Sequence, residues 1–248
     1  MTTIGIIPAR YASTRFPGKP LIDINGKSMI QRVYEQVQKA LIHVCVATDD
    51  TRIKDAVEGF GGKVVMTSST HESGTDRCAE AVELFEQQEN ITADTVINIQ
   101  GDEPFIDPIQ IEQLVGVLNN RGAQIATLIK KITDIKTLDN SNKVKVVIGK
   151  ESNALYFSRS AIPFVRNFDK NEWLTHQDFY HHIGMYGYKK NILMEICKLP
   201  KSILEQSESL EQLRWLENGY SIKTAITDIE SIGIDTPDDL QTVLDMFD

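Results

Sequence analysis

Ile4-Gly5-Ile6-Ile7-Pro8-Ala9, followed at once by Arg10-Tyr11-Ala12-Ser13-Thr14-Arg15-Phe16-Pro17-Gly18-Lys19-Pro20, is the stretch on which the reading of this chain turns. The first six residues are a short, continuous, branched apolar run, the pattern of a strand buried on both faces of a parallel sheet. The residues after it, from Arg10 through Lys27, are so rich in Gly, Pro, Ser, Thr, Arg and Lys that no regular element is expected there. Ser28 then suits the N-cap of a helix with Met29, Ile30, Val33 and Val37 on one face.

Outward from that unit the same rhythm recurs. His43 to Ala47 reads as a second strand, ending in Thr48-Asp49-Asp50. Ile53, Ala56, Val57 and Phe60 make a helical stripe closed by Gly61-Gly62. Lys63 to Met66 is a third strand, Cys78, Ala81, Val82 and Phe85 a helix, Thr95 to Ile99 a fourth strand, and Ile111, Leu114, Val115 and Leu118 a further helix. Alternation at this spacing predicts an α/β fold built on a doubly wound, mostly parallel sheet.

From about Gln124 to residue 190 the pattern changes. Ile125 to Ile132, Val144 to Ile148, Ala154 to Phe157 and Ile183 to Tyr188 read as strands joined by irregular polar stretches, Asn167 to Gln177 among them. This predicts a smaller mixed or antiparallel insertion, a lid or dimer surface, within a single domain of residues 1–248. A helix near Leu210 to Asn218, a strand at Ile222 to Ile226 and a last helix with Pro237 at its first position complete the chain.

The composition narrows the function. A net charge of −9 argues against nucleic-acid or membrane-surface binding, so any anionic substrate must be met by local cations. Three widely spaced cysteines, Cys45, Cys78 and Cys197, fit neither a disulfide framework nor a structural zinc site. The opening MTTIGIIPAR has no basic segment leading into an apolar run, and cytoplasm is the expected location.

In open parallel sheets ligands bind beyond the carboxyl ends of the strands. The loop after the first strand carries Arg10, Arg15 and Lys19 with Ser13 and Gly18, which suits a polyphosphate. It matches neither GxxxxGK[ST] nor GxGxxG, and a solvated basic loop is the plain alternative. Asp102, past the fourth strand, is placed as a ligand for Mg²⁺, or equally as a turn or helix-cap residue. Asp235 follows Ile232-Gly233-Ile234, where a helix start explains Asp-Thr-Pro well. Ser73, Gly74 and Arg77 stand where a helix opens, and capping accounts for Ser73 but not for the glycine. Adjacent His181 and His182 face opposite ways on an extended chain, so one is expected in a site and one in structural contacts; Tyr186 shares the face of His182, and ordinary strand aromatics are an equal reading of Tyr186 and Tyr188.

The motifs PARYASTRFPGKPL, VATDD, HESGTDRCAE, INIQGDEP, KVKVV, ALYFSRSAIP, HHIGMYGY, LEQLRWLENG and GIDTPDDL occur in this order from Pro8 to Leu240. As a set they closely resemble the 3-deoxy-manno-octulosonate cytidylyltransferase (CMP-Kdo synthetase) family. The resemblance spans essentially the whole chain. It implies a nucleotide-diphospho-sugar transferase-like fold and transfer of CMP from CTP to the anomeric 2-hydroxyl of the acid sugar Kdo, with Mg²⁺, in a cytoplasmic homodimer serving lipopolysaccharide biosynthesis. By position it implies Arg10, Ser13, Arg15 and Lys19 on the CTP phosphates, with Ser73, Gly74 and Arg77 near the cytidine. Gln100 would stand at the junction of nucleotide and sugar, and Asp102 and Asp235 would hold the metal. Arg159, His182, Tyr186, Glu211 and Gln212 would line the sugar pocket, with Lys19, Arg10, Asp102 and Asp235 as the catalytic set. Asp76 and His181 depart from the family pattern, which has Glu and Arg there. A sialic-acid cytidylyltransferase and a non-catalytic nucleotide sensor are the rival readings.

Overall fold

A computed structural model of the chain describes residues 1–12, 16–120, 122–230 and 233–245. Ser13 and Arg15, both assigned to the phosphates above, lie outside the described residues. The chain divides into two compact units, Met1–Glu112 with the C-terminal segment, and Gln113–Glu230.

The first unit is an α/β layer structure. Its strands are β1 (Thr3–Ala9), β2 (Asp23–Ile24), β3 (Lys27–Ser28), β4 (His43–Thr48), β5 (Val64–Met66) and β6 (Thr95–Asn98). Its helices are α1 (Met29–Ala40), α2 (Thr51–Gly59), α3 (Gly74–Glu89) and the start of α4 (Pro108–Leu118), with a last helix, Pro237–Leu244, from the end of the chain. The parallel strands run in the order β6-β1-β4-β5. Ile4, Ile6 and Ile7 of β1 are fully buried, as a continuous apolar run requires. From β1 the chain winds outward through β4 to β5, then returns to place β6 on the other side of β1. The strand order therefore switches direction between β1 and β6, the point at which such sheets open a crevice for ligands.

Local chemistry sets the helix starts. Ser28 accepts a hydrogen bond from the Gln31 amide and opens α1, which buries Met29, Ile30, Val33, Tyr34 and Val37. Asp50 and Ser73 cap α2 and α3 in the same way. Thr236 and Asp239 cap the last helix reciprocally, with Pro237 at its first position.

The stretch from Arg10 to Lys27, expected to lack regular structure, is more ordered than its composition suggests. Lys19–Leu21 form a 3-10 turn, and β2 and β3 pair as a hairpin across Asn25-Gly26. Both turn residues have positive φ, 49° and 81°, which is what the two-residue Asn-Gly hairpin demands.

The second unit holds β7 (Ile125–Lys131), β8 (Lys145–Ile148), β9 (Ala154–Ser158), β10 (Tyr180–Lys189) and β11 (Ile222–Ile226). Its helices are α5 (Ile135–Asp139), α6 (Trp173–His176), α7 (Lys190–Ile196), α8 (Ile203–Glu208) and α9 (Glu211–Glu217); the last helix, Pro237–Leu244, is α10. β7 pairs in parallel with β11 and antiparallel with β10, while β8 joins β10 to β9. This unit is mixed, as expected. It extends from residue 113 to residue 230 and so takes in α9 and β11 as well as the strands from 124 to 190.

Two readings of this unit need correction. β10 begins at Tyr180, three residues before the expected start at Ile183, because the polar pair His181-His182 is already in the ladder against Lys130 and Ile129. Asn167 to Gln177 is not irregular throughout: Lys170–Glu172 and α6 are helical. Trp173 anchors them in a buried cluster with Ile132, Leu138 and Phe179. One large apolar side chain in a polar stretch suffices for that. Among the described residues no helix is long and apolar enough to cross a membrane.

Candidate active site

The crevice predicted by the β1–β6 switch is present. A cavity of about 290 Å³ is lined by Pro8, Ala9, Arg10 and Ala12 after β1, by Lys19 and Pro20, by Gly74 at the start of α3, and by Gln100, Gly101 and Asp102 after β6. All of these belong to the first unit. The two strand ends meet closely: a Cβ on Gly101 would stand 2.9 Å from the Pro8 carbonyl oxygen, so only glycine fits. Gly74 is different. A Cβ there would meet protein atoms no nearer than 3.7 Å, and its φ is not positive. Neither packing against the described residues nor backbone strain demands this glycine.

The loop that carries Lys19 is closed from within. The Gly18 amide donates to the Tyr11 carbonyl at 3.0 Å, and Gly18 adopts φ 74° with the Tyr11 ring against it. The Arg52 guanidinium lies 3.3 Å from the centre of that ring. Arg10 donates to the His71 carbonyl, and the His71 ring is paired with Glu80.

Lys19, Asp102 and Asp235 form one cluster. The Lys19 ammonium donates to Asp102 Oδ2 at 2.8 Å and to Asp235 Oδ1 at 3.0 Å. Burial pulls the lysine pKa down, but the Asp102 charge and then Asp235 outweigh it, and the net direction is up. The chain brings the two aspartates together through the backbone: the Ile234 amide donates to the Asp102 carbonyl at 2.9 Å. The plain readings hold in part: Asp102 stands in a turn and a helix starts at Thr236-Pro237, but neither carboxylate is a helix cap. The last helix is capped by Thr236 and Asp239, not by Asp235, whose carboxylate is left for Lys19. Asp102 precedes no helix start; Asp107 is the residue that holds the first turn of α4, through the Ile109 amide.

Ser73 and Arg77 both make contacts within the protein. The Ser73 hydroxyl caps α3 and contacts Asp76. Arg77 is fully buried, donates to Thr67 Oγ1 at 2.6 Å and stands 3.3 Å from Asp49. Its Nε and Nη2 are buried without a partner among the described residues. Burial depresses its pKa, against the Asp49 charge. Asp49 was missed in the sequence; the acidic pair Asp49-Asp50 just past a strand end was its signal.

The sugar-pocket residues named above all lie in the second unit. The His182 and Tyr186 rings are 5.0 Å apart, and Tyr186 packs edge-on against Trp215. His182 is pushed down to about 3 by burial and then by His181. The Tyr186 hydroxyl is buried with no protein partner, and burial followed by the Glu211 charge raises its pKa well above the ordinary value. Glu211 accepts from Arg214 at 2.7 Å, and Gln212 is buried. Arg159 is engaged elsewhere: its guanidinium donates to the carbonyls of Glu208, Ser141 and Ser209, and it lines a cavity of about 700 Å³ with Ser141, Asp139, Lys170, Phe164 and Trp173. His181 is buried.

A parallel sheet with cationic side chains and paired carboxylates at its switch point suits an enzyme that handles nucleotide phosphates. The cytidylyltransferase family model matches residues 4–228. The 3-deoxy-manno-octulosonate cytidylyltransferase of Parabacteroides distasonis is 56% identical over 98% of this chain and 97% of its own length. The 8-amino-3,8-dideoxy-manno-octulosonate cytidylyltransferase of Shewanella sediminis is 50% identical over 95% and 94%. A solved structure of CMP:2-keto-3-deoxy-manno-octonic acid synthetase complexed with CTP superposes with a TM-score of 0.89 at 41% identity, covering 100% of this chain and 98% of that one. The chain belongs to the cytidylyltransferases, and among them to the 3-deoxy-manno-octulosonate cytidylyltransferase family.

Proposed function

We propose that this chain transfers CMP from CTP to the anomeric 2-hydroxyl of 3-deoxy-D-manno-octulosonate, giving CMP-Kdo and pyrophosphate for lipopolysaccharide biosynthesis. The observation that carries this reading is Lys19 held between Asp102 and Asp235 at the β1–β6 crevice. The bond that forms joins the sugar O2 to the α-phosphorus; the bond that breaks frees pyrophosphate. Such transfers depend on positioning and charge neutralisation more than on covalent chemistry by the protein. Arg10 and Lys19, with Arg15, neutralise charge on the leaving pyrophosphate. Backbone near Gly74 and Gly101 admits the nucleotide, and Gln100 lines the same cavity. Arg159, His182, Tyr186, Glu211 and Gln212 bind the acid sugar, with a guanidinium suited to its carboxylate.

The donor set fits Mg²⁺: two carboxylates already gather about one cation, and this ion commonly takes one or two carboxylates with phosphate oxygens. Bound to Asp102 and Asp235, Mg²⁺ would supply charge neutralisation and a lowered pKa for the attacking hydroxyl. A cytoplasmic homodimer, formed through the second unit, belongs to the same proposal; Phe164 and Phe168 are exposed there.

Pyrophosphate release from CTP and Mg²⁺ with Kdo, its 8-amino analogue and a sialic acid tests the reading. Turnover with Kdo well above the other two is expected. Preference for the 8-amino sugar or for sialic acid would replace Kdo as acceptor, and CTP binding without turnover of any sugar would make the chain a nucleotide sensor.

A further inference from the structure

β10 carries a bulge where it passes β7. Ile183 stands opposite Leu128, yet the next residue of β7, Thr127, pairs with Tyr186, so Gly184 and Met185 are extra. Bulges re-aim side chains and leave ladder groups without strand partners. Here the buried Thr127 hydroxyl reaches into the bulge. Thr127 Oγ1 lies 2.8 Å from the Met185 carbonyl oxygen, 3.3 Å from that of Ile183 and 2.9 Å from His182 Nε2.

Proton counting fixes the direction of these contacts. A carbonyl only accepts, and a hydroxyl has one proton to give. Were that proton aimed at His182, the Thr127 and Met185 oxygens would face each other at 2.8 Å with no hydrogen between them. The proton therefore goes to Met185, and the contact with the ring requires a proton on Nε2.

We infer that Thr127 is a positioning residue that holds neutral His182 as its Nε2–H tautomer, leaving Nδ1 as the acceptor offered to a hydroxyl of the acid sugar. The inference rests on the reading of His182 as a sugar-pocket residue. The half-buried ring is neutral across the working range because burial and His181 disfavour its charged form. The neighbouring Tyr186 hydroxyl, buried without a protein partner, supplies the complementary donor. The sequence signal was one threonine inside the apolar run Ile125-Ala126-Thr127-Leu128-Ile129.

Nitrogen-15 ring spectra of the ligand-free, full-length protein test the tautomer, with His182→Gln assigning the signal among the five histidines. Wild type and Thr127→Ser should both show the Nε2–H pattern; Thr127→Val should lose it. In turnover assays Thr127→Val should raise the KM for the acid sugar about tenfold, the scale of one lost hydrogen bond, with the KM for CTP within about twofold and rescue by Thr127→Ser. An Nδ1–H pattern in wild type overturns the assignment without recourse to any variant. Loss of the tautomer with an unchanged sugar KM overturns its link to binding. The expected spectra with no turnover of any acid sugar would overturn the proposed function and leave the tautomer assignment standing.

Discussion

The crevice of the first unit and the pocket of the second use opposite electrostatics. At the crevice the groups meet as ion pairs: the Lys19 ammonium sits between two carboxylates, and Asp235 is 61% exposed. In the second unit, His182 is pushed down to about 3 and Tyr186 is pushed up by burial, so this ring and this phenol stay neutral beside the Glu211–Arg214 ion pair. The first arrangement suits a polyphosphate, whose charge must be matched by ions. The second suits a sugar, whose hydroxyls are read by donors and acceptors of fixed direction. The difference yields predictions, because charge changes should dominate in one region and hydrogen-bond geometry in the other.

The largest effect is expected at the carboxylates. Asp102→Asn and Asp235→Asn should each cut turnover at least about a hundredfold, the scale of one lost electrostatic stabiliser, while circular dichroism and thermal unfolding stay near wild type. Both side chains keep an oxygen for Lys19 after the change, so the cluster is not left as an unpaired buried cation. Near-normal rates in either variant at saturating Mg²⁺ would remove that residue from the metal site and reduce the crevice to a structural ion pair.

Arg159 tests whether the second unit also uses charge. Its guanidinium serves three backbone carbonyls, and its amide is held by Glu208. Arg159→Ala should raise the KM for the acid sugar about tenfold or more while the KM for CTP changes little, the outcome for a lost charge-assisted contact. Arg159→Lys should recover little of it, because an ammonium cannot reproduce the fork. A drop in melting temperature with both KM values unchanged would make Arg159 a tether for Ser141, Glu208 and Ser209 instead.

The same contrast explains what could be read from sequence. The crevice was legible because its residues lie directly after strands marked by apolar runs, and the fold places strand ends together. Even so, sequence left Asp102 and Asp235 open to plain readings. The backbone bond from Ile234 to Asp102 pairs distant segments, which no local pattern shows; the cap made by Thr236 and Asp239 is a local Thr-x-x-Asp box. The second unit was less legible. α5, α7 and α8 have five, seven and six residues, too few for a helical period to stand out. The bulge at Ile183 to Tyr186 is a matter of register between strands and leaves no mark in either strand alone. The Asn25-Gly26 hairpin is a different case: its signal was present, masked by the polar composition around it.

The smallest effect separates the two regions by pH. His182 has an ordinary pKa of 6.5 and a folded value of about 3, so its contribution to stability is unchanged above about pH 6.5, where both states are neutral. As pH falls below that, the unfolded chain takes up a proton that the folded ring refuses, and the folded state loses ground until about pH 3. For a ring still partly open to solvent, the loss should be about 1 kcal/mol per pH unit at most. Lys19 behaves in the opposite sense. Its folded pKa lies above its ordinary 10.5, so the contribution of the cluster is fully present below that value and is lost only in alkali. Between pH 7 and pH 5 the Lys19 contribution is therefore constant and that of His182 is not. Urea unfolding of wild type and His182→Gln at pH 7, 6 and 5 reads this directly: acid losses common to both cancel, and the stability of wild type relative to the variant should fall as pH falls. Parallel curves over that range would mean that the folded ring is protonated as readily as the unfolded one, and the neutral character assigned to the second unit would fail at its central residue.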